Sequence, residues 1–79
     1  MLPRVEIYTK RDCCLCDEAK AVLARVRAEL PFELCEIDIE GDPALMEKFR
    51  TEIPVIFVAG RKAFKYRVDE QELRRRLAR

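Results

Sequence analysis

Histidine and asparagine are absent from this 79-residue chain, glutamine occurs once, and only two glycines punctuate it. The missing histidine removes the commonest companion of cysteine in zinc sites. Zinc takes four ligands as a rule, and beyond the pair Cys13 and Cys16 only Cys14 and Cys35 could add sulfur, so the sequence predicts no metal site. No segment approaches the roughly 20 apolar residues of a membrane span, and Met1-Leu2-Pro3-Arg4-Val5-Glu6 lacks the apolar run of a secretory leader. A cytoplasmic protein is expected. Nor is there an excess of either charge: 16 basic against 15 acidic residues leave a net +1, spread along the chain. Without a strong field, neither nucleic acid nor a membrane surface is an expected partner. A charged fraction of 39% beside so few side-chain amides leans toward a heat-adapted source. There are no repeats, linkers or low-complexity segments. A chain this short buries only roughly 60% of its unfolded surface, so residues 1–79 read as one domain with one core and one site, expected as a monomer.

What the chain does have is cysteine in an unusual place. Three of its four cysteines fall within Cys13-Cys14-Leu15-Cys16. Thiols so crowded cannot staple distant segments, and a loop closed between Cys13 and Cys16 is too small to stabilise much, so the pair reads as chemistry rather than framework. It sits where a strand gives way to a helix. With Cys13 in the first turn, its sulfur would meet unpaired backbone N–H groups and the positive end of the helix dipole, both of which favour thiolate. Lys10 and Arg11 would add to this and Asp12 oppose it. Cys16, three residues on, shares the helical face and can close a reversible disulfide. Cys14 is rotated about 100° away and is expected to diverge from Cys13.

Along the chain, Arg4-Val5-Glu6-Ile7-Tyr8 reads as a strand with Val5 and Ile7 on one face. From Cys14 to about Leu30, apolar residues at Leu15, Ala19, Val22, Leu23, Val26 and Leu30 recur at helical spacing, until Pro31. Phe32 to Ile39 alternates as a strand near a sheet edge, with Cys35 on its apolar face as a small hydrophobe outside the chemistry. Gly41-Asp42-Pro43 supplies a turn, an N-cap and a helix-opening proline for a short helix from Ala44 to about Phe49. Pro54-Val55-Ile56-Phe57-Val58 is apolar on both faces and is expected near the sheet centre. Gly60-Arg61 turns the chain into Lys62 to Val68, an edge strand alternating Phe64, Tyr66 and Val68 inward. Asp69 with Glu72 forms an acidic capping box for a last helix, which turns Leu73 and Leu77 inward and gathers Arg74, Arg75, Arg76 and Arg79 near its end. The order is β-α-β-α-β-β-α, and right-handed crossover makes the first two strands parallel.

Tyr8-Thr9-Lys10, the Cys13-x-Leu15-Cys16-Asp17 dithiol, Glu36-Ile37-Asp38-Ile39 and Thr51-Glu52-Ile53-Pro54-Val55 together resemble the glutaredoxins, most closely the small glutaredoxin-like proteins with Cys-x-Leu-Cys. The resemblance covers nearly the whole chain. It implies a thioredoxin-like three-layer α/β/α sandwich on a four-stranded mixed sheet, with Pro54 cis and facing the dithiol. It also implies a thiol–disulfide oxidoreductase in which Cys13 and Cys16 are the redox-active pair, while Lys10, Ile53, Pro54 and Asp69 bind substrate. Two features depart from the glutaredoxin pattern. Cys14-Leu15 replaces the usual Pro-Tyr between the cysteines, and Lys65-Tyr66-Arg67-Val68-Asp69 replaces a Gly-Gly segment, so only part of a glutathione site is carried over. No tightly bound cofactor is implied; glutathione is a possible co-substrate. The partners implied are a disulfide-bearing protein or glutathione, with glutathione or a thioredoxin-reductase-type flavoenzyme as reductant. The alternative is a binding module, holding an iron–sulfur cluster in a dimer through Cys13 or presenting a surface without catalysis.

Overall fold

The computed structural model describes residues 1–78; Arg79, which the sequence places in the terminal basic cluster, lies outside the described residues. Strand β1 (Arg4–Thr9) separates its side chains by the period of two that a pleated strand imposes. Val5 and Ile7 are fully buried on one face, and Tyr8 packs on the other. Helix α1 (Cys14–Arg27) then returns the chain to β2 (Glu33–Asp38), which pairs parallel with β1 in the register Glu6 to Cys35 and Tyr8 to Ile37. A single 3-10 turn (Ile39–Gly41) leads to α2 (Pro43–Phe49). Next come β3 (Val55–Val58), β4 (Arg61–Lys65) and α3 (Glu70–Leu77). The sheet order is β2-β1-β3-β4, with β3 antiparallel to both β1 and β4. The expected succession of elements, the parallel first pair and the edge position of β2 are all present.

Two apolar clusters divide between the faces of the sheet. On one, Ala19, Leu23 and Val26 of α1 and Leu73 of α3 cover Val5, Ile7, Ile56 and Val58. On the other, Ile39, Phe49 of α2, Ile53, Val55 and Cys16 form a second cluster, joined by Tyr8, Leu45, Met46 and Phe57. Consecutive β3 residues therefore serve opposite clusters, which explains why that strand is apolar on both faces.

Three expectations about element ends are corrected. Helix α1 stops at Arg27 rather than near Leu30. Glu29 and Leu30 both donate their N–H to the Val26 carbonyl, tightening the last turn so that Leu30 and Phe32 still reach the core. Strand β4 stops at Lys65 rather than Val68. The register slips between Ile56 and Phe57, leaving Ala63 as an extra residue, and Tyr66 takes a left-handed φ of 69°, so Tyr66 does not alternate inward but is 41% exposed. The capping box before α3 is only half made. Asp69 accepts the Glu72 N–H at 3.1 Å, while the Glu72 carboxylate turns to Arg75 at 2.7 Å and Arg76 at 3.1 Å. The caps at Asp42 and Asp69 and the proline opening α2 stand as expected. The β3–β4 hairpin turns through Ala59 and Gly60, both at positive φ, the geometry that matches strand twist. No helix among the described residues is long and apolar enough to cross a membrane.

Candidate active site

The end of β1 delivers the chain to the site in three residues. Thr9 closes the strand, Lys10 and Arg11 are exposed, and Asp12 turns at a φ of 55°. Asp is one of the few residues that enter this left-handed region at modest cost, and here it aims the next residue at the axis of α1. Cys13 is consequently the N-cap of that helix, one position before its first turn. Its sulfur accepts the backbone N–H of Cys16 at 3.2 Å, the bond that a Ser or Asp oxygen makes at other caps.

The three clustered thiols differ in access. Cys14 is exposed, Cys13 is half-buried, and Cys16 is 1% exposed. A molecule arriving from solvent meets Cys13 and Cys14 before it can touch Cys16. The Cys13 sulfur already lies against the backbone of Cys16. All four cysteines are free thiols in the structure.

Electrostatics around Cys13 run against the sequence expectation. Burial pushes its thiol above the ordinary value of 9.0, and the Cys16 thiol adds to the rise; the Cys16 backbone N–H and the Lys10 charge pull the other way without prevailing. Arg11, expected to help, is turned aside. Its backbone N–H donates to Glu40 Oε1 at 3.2 Å, and its guanidinium pairs with the same carboxylate at 3.4 Å.

Opposite the dithiol stands the segment that links α2 to β3. The Ile53–Pro54 bond is cis, as the resemblance implied, and Pro54 is fully buried. Ile53 is 7% exposed and packs in the cluster that holds Cys16 and touches Cys13. Neither its N–H nor its C=O is taken by another backbone group among the described residues. Beneath lie the rings of Tyr8, Phe49 and Phe57, with centroids 4.7 to 6.2 Å apart in tilted and edge-on arrangements.

Lys10 lines a shallow recess of about 210 Å³ with Thr9, Arg11, Lys20, Glu36 and Asp38, beside the ends of β1 and β2. It also stands close enough to act on Cys13. Asp69 caps α3, so one of its oxygens is already committed to Glu72. Cys35 pairs in register with Glu6, midway along β1, and its sulfur takes a hydrogen bond from Arg4 at 3.6 Å. It is half-buried beside a guanidinium, a more polar setting than its strand pattern suggested. No group of three His, Cys, Asp or Glu side chains among the described residues is placed to hold a metal ion.

Sequence reasoning missed Tyr66, which sits beside the Pro54 loop, and the left-handed turn at Asp12. Asp in a tight strand-to-helix junction was a readable signal for the second; for Tyr66, alternation pointed the wrong way because the bulge at Ala63 is not visible in composition.

The chain is similar to known proteins in sequence and in fold. A Mycobacterium tuberculosis protein described only as uncharacterized is 34% identical over 82 residues, covering 98% of this chain and 84% of the relative. An X-ray structure of a structural-genomics target from X. campestris superposes with a TM-score of 0.76 at 31% identity, covering 94% of this chain and 95% of that one. The thioredoxin of Fasciola hepatica shares the fold, with a TM-score of 0.63 at 18% identity over 98% of this chain and 79% of its own. The model of the glutaredoxin-like domain DUF836 matches residues 4–78, and the chain belongs to that glutaredoxin-like family.

Proposed function

We propose that this protein is a small thiol–disulfide oxidoreductase that reduces or exchanges disulfides of proteins or of glutathione through Cys13 and Cys16. The observation that carries the reading is the graded access of two thiols at one helix start: half-buried Cys13 with its sulfur 3.2 Å from the amide of buried Cys16. A nucleophile must be reachable, and a resolving thiol must be reachable only from the nucleophile.

Cys13 loses its proton and attacks one sulfur of a substrate disulfide. The substrate S–S bond breaks, a Cys13 mixed disulfide forms, and the departing thiolate takes up a proton. Cys16, as thiolate, then attacks the Cys13 sulfur, releasing the second substrate thiol and leaving the Cys13–Cys16 disulfide. Two electrons have passed from the protein to the substrate, and a second dithiol or two thiols must return them. Glutathione or a thioredoxin-reductase-type flavoenzyme is the expected reductant in a cytoplasmic setting, with the protein working as a monomer and without a tightly bound cofactor. Lys10 supplies positive charge beside the developing thiolate. The free N–H and C=O of Ile53 offer an extended substrate two backbone hydrogen bonds, as an unpaired sheet edge does. Pro54 fixes the direction of those groups, and Asp69 lends charge at the start of α3.

Replacing Cys13 with Ser should abolish turnover of a disulfide peptide, and Cys16→Ser should accumulate a mixed disulfide detectable by mass. Equal loss in both variants with no trapped adduct contradicts the assigned roles. A brown, dimeric protein as purified without oxygen, inactive on disulfides, overturns the reading in favour of a cluster carrier.

A further inference from the structure

We infer that Tyr66 is a positioning residue for the Pro54 loop, bracing the segment 51–54 so that the backbone of Ile53 is presented to an extended peptide substrate. The inference rests on the dithiol reading above and names how its substrate is held.

Tyr66 grips that loop at both ends. Its backbone N–H donates to the Pro54 carbonyl at 2.9 Å, and its phenol donates to the Thr51 carbonyl, also at 2.9 Å. The two anchored carbonyls flank Glu52 and Ile53. Glu52 is tied separately, by Lys62 Nζ at 2.6 Å, and its N–H returns to Phe49. Every residue of the segment except Ile53 thus has a partner, and the unpaired one is the residue beside the dithiol cluster. Apart from the Glu52 bond to Phe49 of α2, the ties from outside the loop come from β4 or the residue just after it, at the sheet edge away from β1.

The backbone conformation belongs to the same device. A φ of 69° is costly for a tyrosine, and it breaks the alternation that would have carried the ring inward. The departure lets one residue extend the β3–β4 ladder by its N–H while its ring runs alongside the loop. Lys65 Nζ lies 5.6 Å from the ring centroid, covering part of it. With 41% of its surface exposed, Tyr66 is not explained by core burial. Two loop carbonyls as its partners are.

The test compares wild type with Tyr66→Phe on two substrates: a linear peptide carrying one mixed disulfide, and bis(2-hydroxyethyl) disulfide, which has no peptide backbone to align. Removing the phenol hydrogen bond should raise KM for the peptide roughly 2- to 10-fold, the worth of one hydrogen bond, with kcat unchanged. KM for the small disulfide and the rate of Cys13 alkylation should match wild type. Equal KM values for the peptide in both proteins, or an equal rise for both substrates, overturns the positioning role even if the variant melts at lower temperature. Should wild type turn over neither substrate, it is the dithiol reading that fails, a result the small disulfide alone separates from failure of the brace.

Discussion

At the scale of single residues, the balance around Cys13 decides how the site behaves with pH. Desolvation outweighs the helix-start amide and Lys10, so the protonated thiol is the resting form and the thiolate is reached only as pH rises. Alkylation of Cys13 by iodoacetamide should still be accelerating above pH 9.0, the ordinary thiol value. Lys10→Gln removes the one nearby side chain that lowers the thiol and should shift the midpoint further up; an unchanged or lower midpoint would show that Lys10 does not face the sulfur. The residue types and spacing of the dithiol were legible in the sequence, as were the lowering influences of the helix-start amide and Lys10, but not the desolvation that exceeds them. Desolvation depends on Ile53, Phe49 and Val55, which approach Cys13 and Cys16 from 33 or more positions away in the chain. Arg11 shows the same limit, because its diversion to Glu40 depends on where the 3-10 turn after β2 lands.

At the scale of elements, short-range chemistry was the most readable part of the chain. Asp42 followed by Pro43 marked the start of α2, and its carboxylate does accept the N–H groups of Ala44 and Leu45 at 3.0 and 3.3 Å. Asp42→Ala should lower stability by about 1 kcal/mol in denaturant unfolding, the usual worth of such a cap. The strand-to-helix junction is more demanding. Asp12 at φ 55° accommodates a left-handed turn that a β-branched residue resists, so Asp12→Val should destabilise the fold by about 1–2 kcal/mol while Asp12→Gly is tolerated. If both variants unfold alike, the turn does not depend on that backbone conformation. Element ends were less legible where tertiary contacts set them. The end of α1 is drawn in by Phe32, whose carbonyl takes a hydrogen bond from Arg27 at 2.9 Å. The end of β4 is set by a bulge and by the partners of Tyr66, neither of which has a local signature.

At the scale of the whole molecule, stability is small and concentrated. A chain of 79 residues has roughly 4–12 kcal/mol to lose, at about 0.05–0.15 kcal/mol per residue. Leu23, fully buried between α1 and the sheet, would remove about 2–5 kcal/mol as Ala and is expected to leave a protein partly unfolded at 37 °C. The pH profile of stability should fall at both ends for different reasons. On the acid side, Glu52 is held below its ordinary 4.5 by Lys62, and Glu70 below the same value by Arg25 and then Arg74. Carboxyls whose folded pKa is depressed stabilise the fold above the unfolded value and lose that contribution as pH falls through the folded one. On the alkaline side, the Cys13 thiol has the opposite sign. Its folded pKa lies above 9.0, so its contribution is complete below that value and is lost as pH climbs toward the folded one. Glu70→Gln should therefore flatten the acid limb and leave the alkaline limb intact, while Cys13→Ser should do the reverse. Urea midpoints measured from pH 3 to pH 10 in the reduced protein test both, and an alkaline fall that persists undiminished in Cys13→Ser would move its origin away from the dithiol.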